Sequence, residues 1–200
     1  MTTLEMPEVQ PAPASRTKRL RAATHAAHER LDQRIMAGAP FASIANYLRF
    51  LQVQHAFHRD VDPLFRHAPL AALLPDLAGR RRLDLIGQDI ADLGGTAPAA
   101  EAPVFDAAID LPTALGWLYV AEGSHLGAAF LLKEAAQLGL SENHGARHLA
   151  GAPEGRGLHW RIFTAAVDQV ALSAAEEDRA IAGADRAFDR VRALVDTHFT

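Results

Sequence analysis

The sequence predicts a single all-α domain, and three observations carry that expectation. Apolar residues recur at helical period along almost the whole chain, with no clear run of alternating strand type. The breaks between periodic segments hold residues that start and stop helices. The 200 residues, 49% hydrophobic and 22% charged, suffice for one buried core of ordinary globular composition.

The elements follow in order. MTTLEMPEVQPAPASR has acidic residues and prolines where a secretory signal needs a basic end and an apolar run. Residues 1–15 are therefore read as a disordered leader and 16–200 as the folded domain. Helices are expected near 16–36, 43–66, 71–93, 112–138, 155–171 and 174–198, packed as antiparallel and crossing pairs. GAP at 38–40 breaks the first pair, and Pro112 suits a first helical turn. Ser173 followed by Glu176 is a capping box for the last helix. GGTAPAAEAP (94–103) is the longest loop, and Gly139 with NHG at 143–145 closes the fourth segment.

Composition excludes several classes. The net charge of −4 argues against a dedicated nucleic-acid binder. No segment approaches the ~18 consecutive apolar residues of a membrane span, so a cytoplasmic protein is expected. Without cysteine there are no disulfides, iron–sulfur clusters or thiolate-bound zinc, and the ten histidines are the abundant soft ligands.

The stretch LGWLYVAEGSHLGAAFLLKEA (115–135) keeps helical order yet carries Gly123 and Gly127 in its middle. An interior glycine costs a helix about 0.5–1 kcal/mol relative to alanine, so something requires bare backbone there. Tyr119, Gly123 and Gly127 stand at i, i+4 and i+8 in one stripe, which Gly116 extends. Two causes fit the stripe by itself: close packing of a second helix, or a flat ligand lying on the backbone.

In the first helix Arg21, His25 and His28 fall at i, i+4 and i+7 on one side. A neutral imidazole facing an apolar pocket is a good iron ligand through Nε2, and an arginine two turns away can meet an anionic group of the same ligand. Half-exposed histidines with no ligand fit the pattern too. In FLQVQHAFHRDVD (50–62), Gln54 and His58 share a face beside Phe50, Phe57 and Val61, as a polar flank or as part of a site. His67, His144, His148, His159 and His198 look like surface, loop or terminal residues. A carboxylate di-iron site needs two Glu-x-x-His motifs, and only Glu122 to His125 supplies one. No nucleophile elbow, Walker loop or dinucleotide fingerprint occurs.

LRAATHAAHERLD, RFLQVQHAFHRD, ALGWLYVAEGSHLGAAFLLKEA and GARHLAGAPEGRGLHWRIF resemble, in order and spacing, the bacterial heme oxygenases of the neisserial type, which obtain iron from heme. The resemblance runs from about residue 16 to the C-terminal helix. It implies a heme-oxygenase-like helical bundle with heme between a proximal and a distal helix. His28 matches the proximal ligand of the heme iron. Gly123 and Gly127 match the distal glycines whose backbone lies over the heme face, with Ser124 beside them. Arg21 stands where relatives have a basic residue near a propionate, commonly lysine, and Tyr119 where a tyrosine meets a propionate. Gln54 and His58 match polar residues of the distal water network, and Trp160 and Phe188 match aromatic residues around the pocket.

The implied reaction is the cleavage of heme b, as substrate and cofactor, by O2 to biliverdin, carbon monoxide and ferrous iron. The α isomer is expected, because relatives that cleave at other meso carbons resemble this chain less at Arg21 and Tyr119. Electrons are expected from an external ferredoxin or reductase, and RTKRLR (16–21) is a basic surface that could receive one. Two positions depart from the family pattern. Residue 125 is histidine where members vary, and 128 is alanine where many have glycine. His125 lies about 200° around the helix from Gly123 and should point away from the heme. The alternatives are a non-catalytic heme-binding chaperone or sensor on the same fold, and a helical interaction module that has lost heme.

Overall fold

Ser15 opens the first helix, its hydroxyl accepting a hydrogen bond from the Lys18 amide, and α1 runs Arg16–Ala37. The computed structural model describes residues 15–105 and 109–199, so the leader expected over 1–15 lies, except for Ser15, outside the described residues. After α1 come α2 (Ile44–Phe65), α3 (Ala68–Leu73), a 3-10 turn (Ala78–Arg80) and α4 (Leu83–Asp92). Then follow α5 (Leu111–Gln137), a second 3-10 turn (Arg147–Leu149), α6 (Arg156–Gln169) and α7 (Ala174–His198). The all-α class is as expected.

The helix starts follow local chemistry. Asp110 caps α5 through the Thr113 amide, with Pro112 in the first turn. Ser173 and Glu176 form the reciprocal capping box of α7. One expected helix is wrong: 71–93 divides into α3, the 3-10 turn and α4. The cause is Pro75, which pushes the preceding residue out of helical space. Leu74 is accordingly extended and Asp76 takes φ 51°, so the chain cannot continue as one helix.

α7 is the platform on which α5, α1 and α2 all rest. Its contact with α5 is made by small residues. Ala180, Ala184 and Ala187 are buried on α7, and Gly183 lies against α5 so closely that a Cβ there would stand 2.5 Å from the Thr113 carbonyl oxygen. Larger side chains fill the space around this crossing, with Phe57, Trp117, Phe163 and Phe188 in one continuous core. A second core of Tyr47, Phe50, Ile86, Ile90 and Leu149 holds α4 and the second 3-10 turn against α2.

Arg16 ties the start of α1 to the end of α6. Its guanidinium donates to the carbonyls of Val167 and Val170 at the end of α6 and to the Glu177 carboxylate. Arg19 also pairs with Glu177, at 2.7 Å. The expected basic docking surface over 16–21 is therefore smaller than the sequence suggests: Arg16 is buried and Arg19 is engaged. Among the described residues, no helix is long and apolar enough to cross a membrane.

Candidate functional site

On α1, His28 keeps 60% of its side chain exposed while its ring stands edge-on to Phe188 of α7, centroids 5.8 Å apart. Its Nδ1 lies 3.1 Å from Oδ2 of Asp32, one turn on. Partial burial raises the Asp32 pKa, and the neighbouring imidazole opposes that rise. A carboxylate on Nδ1 fixes ring orientation and tautomer and presents Nε2 as the free nitrogen, which is how proteins orient histidines for a metal. His25 differs: it is Nε2 that lies 3.4 Å from Glu29. The sequence reading missed Asp32, although its i+4 spacing from His28 was visible.

The glycine stripe of α5 divides in two. Gly116 is a packing glycine, because a Cβ there would overlap the Ala180 carbonyl and stand 2.6 Å from the Ala184 nitrogen. Its place in one stripe with Gly123 is thus corrected: the two serve different neighbours. A Cβ on Gly127 would meet nothing within 4 Å, and one on Gly123 would meet only the Trp160 ring edge at 3.7 Å. No helix presses on these two glycines. Phe130, three residues past Gly127 and on the same face by helical geometry, is 55% exposed. A bare backbone beside an exposed aromatic ring is an apolar platform shaped for a flat ligand. Ser124 turns its hydroxyl back to the Ala121 carbonyl at 2.7 Å.

Tyr119 and Trp160 close the platform from the α6 side, their rings 5.7 Å apart. Burial raises the Tyr119 pKa, and the positive charge of Arg21 pulls it back. The two residues matched to propionate contacts, one on α1 and one on α5, thus face the same region. Trp160 also touches Phe163 on its own helix, and Phe188 backs His28 from α7.

Behind α5 lies a buried polar cluster. His58 on α2 stacks on His125, centroids 5.9 Å apart and planes 9° apart. His125 therefore points away from the Gly123 face, as its helical angle requires. Burial, with nearby His148, Arg82 and His55, pushes the His58 pKa down to about 3. Burial likewise holds His125 well below its ordinary value. Gln54 is half-buried one turn before His58.

Two histidines expected at the surface are buried. His148 pairs with Asp89 at 2.7 Å, and His159 with Glu154 at 2.7 Å. His148 lies in the second 3-10 turn and His159 in the first turns of α6, and periodicity does not reveal the packing that covers them. Glu122 forms a buried ion pair with Arg80 at 2.7 Å, the side chains 1% and 2% exposed. Neither Glu122 nor His125 is arranged as a metal ligand, and among the described residues no group of three or more acidic or histidine side chains could hold a metal ion. The metal chemistry that fits these residues is a single protein ligand with the remaining ligands brought by the bound group, as in heme.

The chain belongs to the heme oxygenase family: the family model for heme oxygenase matches residues 14–197. Members of this family are enzymes of heme degradation, and the fold described above is of that class. Among its relatives is heme oxygenase PigA of Pseudomonas aeruginosa, 45% identical over 184 residues, 92% of this chain and 93% of that protein. The crystal structure of NO- and CO-bound heme oxygenase from Neisseria meningitidis superposes with a TM-score of 0.88 at 40% identity. The match covers 94% of this chain and 93% of that one. Heme oxygenase from Leptospira interrogans shares the fold, with a TM-score of 0.72 at 16% identity over 92% of this chain and 99% of that one.

Proposed function

We propose that this chain cleaves heme with dioxygen to biliverdin, mainly the α isomer, releasing carbon monoxide and ferrous iron for iron acquisition. The observation that carries the reading is the bare Gly123–Gly127 backbone facing open space, in a fold whose α1 presents a histidine braced by Asp32. Bound heme supplies both the iron centre that activates dioxygen and the meso carbon that is oxidised.

The chain's own residues hold and orient. His28 ligates the iron through Nε2, with Asp32 and Phe188 fixing the ring. Gly123 and Gly127 leave room on the other heme face, which a β-carbon would occupy. Arg21 and Tyr119 contact the propionates and so set which meso edge lies beneath the distal helix; the charge of Arg21 felt at Tyr119 supports their acting on one edge. Arginine offers a planar fork where relatives commonly have a lysine point charge. His58 and Gln54 order water on the distal side. Electrons come from an external donor, a ferredoxin or a reductase, in the cytoplasm.

Adding heme, a reductant and air to the full chain tests this. Loss of the heme spectrum with appearance of a bilin is expected, and chromatography identifies the isomer. A stable heme complex that is never consumed would favour a heme carrier or sensor, and a mainly β or δ product would overturn the propionate assignments.

A further inference from the structure

We infer that His125 is a proton-relay residue, passing protons from a solvent cleft between α5 and α6 to His58 behind the distal helix. This rests on the heme-cleaving reading above, which requires protons on the distal side. Four observations converge on it.

The first is the cleft. Between α5 and α6 a small opening is lined by Arg82, Glu122, His125, Arg156, His159 and Trp160. It has room for about one water, and its walls offer the several polar partners that an ordered water needs. The second is hydrogen-bonding capacity left unused there. His125 Nδ1, His159 Nε2 and Glu122 Oε1 are all buried without a hydrogen bond, although His159 Nε2 lies 3.7 Å from Glu122 Oε2. Buried polar atoms are rarely left so, and a water is the usual partner.

The third is the stack. The His125 ring lies parallel to His58, whose Nδ1 is also buried without a protein partner. His125 is thus at once a wall of the cleft and the neighbour of the histidine nearest the distal network. The fourth is the charge around the pair. Burial and the arginine side chain of Arg82 disfavour a lasting imidazolium on either ring. Such rings conduct protons rather than store them.

The transfer balances without any further reagent. A neutral imidazole carries one N–H and one acceptor nitrogen. A proton leaves a cleft water for the acceptor nitrogen of His125 as the other nitrogen releases its own. Water between the rings carries that proton to His58, which releases one to the distal side. Both rings end neutral with their tautomers exchanged, and solvent returns a proton to the hydroxide left in the cleft. The ion pair of Arg80 with Glu122 and the hydrogen bond from Arg156 to the His125 carbonyl hold this wall of α5 in place.

Two variants test the relay on the full chain. His125→Gln keeps polar capacity but cannot exchange tautomers, and Ala152→Phe plugs the cleft wall without touching the stack. In the heme-free protein, nitrogen-15 NMR should show the His58 ring proton exchanging with solvent at least tenfold more slowly in both variants. In the heme-loaded protein both should cleave heme about tenfold more slowly, with a larger solvent deuterium isotope effect and unchanged heme affinity. If the parent chain consumes heme while both variants match it in exchange rate and isotope effect, His125 is only a packing ring and the relay is wrong. If His125→Gln does not fold, Ala152→Phe decides by the same measurements. If the parent chain consumes no heme, the failure belongs to the functional reading, and the exchange rates of His58 alone decide whether His125 links it to solvent.

Discussion

His28 meets Phe188 edge-on, ring centroids 5.8 Å apart, so the proposed iron ligand of α1 is braced by the helix on which α5 also rests. One helix, α7, thereby sets the spacing of both walls of the site. His25, three residues earlier on the same side of α1, faces Glu29 on its own helix instead.

His28→Ala should abolish both the histidine-ligated heme spectrum and turnover, whereas His25→Ala should leave both nearly intact. Asp32→Asn should weaken heme binding roughly tenfold, the lower end of what losing a ligand's orienting partner costs. Absorption titrations with heme check all three, and loss of the spectrum in His25→Ala alone would reverse the assignment.

The two kinds of glycine on α5 should separate in a melt. Gly127→Leu gains helix propensity of about 0.8 kcal/mol in the heme-free protein, because its Cβ enters open space, yet should stop turnover. Gly116→Ala should instead destabilise by about 1–3 kcal/mol or more, because its Cβ collides with the α7 backbone. Normal turnover in Gly127→Leu would place the heme elsewhere.

Arg80→Met and Glu122→Leu each leave an uncompensated buried charge and should cost about 3–5 kcal/mol. The double variant should recover most of that loss, since it removes both charges. Urea unfolding of the three proteins measures the coupling, and additive losses would show that the pair is not one unit.

Acid should destabilise the protein through His58. Its pKa is lowered by burial to about 3, whereas in the unfolded chain it returns to the ordinary value of 6.5. Between those values the unfolded state holds a proton that the folded state does not, so stability falls as pH falls. The slope is a little over 1 kcal/mol per pH unit for such a group. His125, shifted in the same direction, steepens the decline. His58→Gln should show a shallower loss of stability between pH 6 and pH 4, and equal slopes would contradict the buried neutral ring.

Much of this protein is legible in its sequence because helix signals are short-ranged. The capping box at Ser173, Pro112 in its first helical turn, the apolar period and the glycines at 123 and 127 all lie within a few turns of what they determine. The resemblance placed His28, Tyr119, Trp160 and Phe188 among the candidates, and the fold sets His28 against Phe188 and Tyr119 against Trp160. Contacts between helices are another matter. Gly116 and Gly127 are read alike in the sequence, yet one touches α7 backbone and the other touches nothing, because only the crossing of α5 and α7 determines which glycine has a neighbour. Arg16 reads as a surface charge until α6 ends beside it and offers the carbonyls of Val167 and Val170. His148 and His159 read as surface or loop residues until Asp89 and Glu122 arrive from distant parts of the chain, with Glu154 from just before α6, to surround them. Local pattern determines where a helix begins and which face is apolar. What that face meets depends on crossing angles and on residues dozens of positions away, and only the tertiary structure decides it.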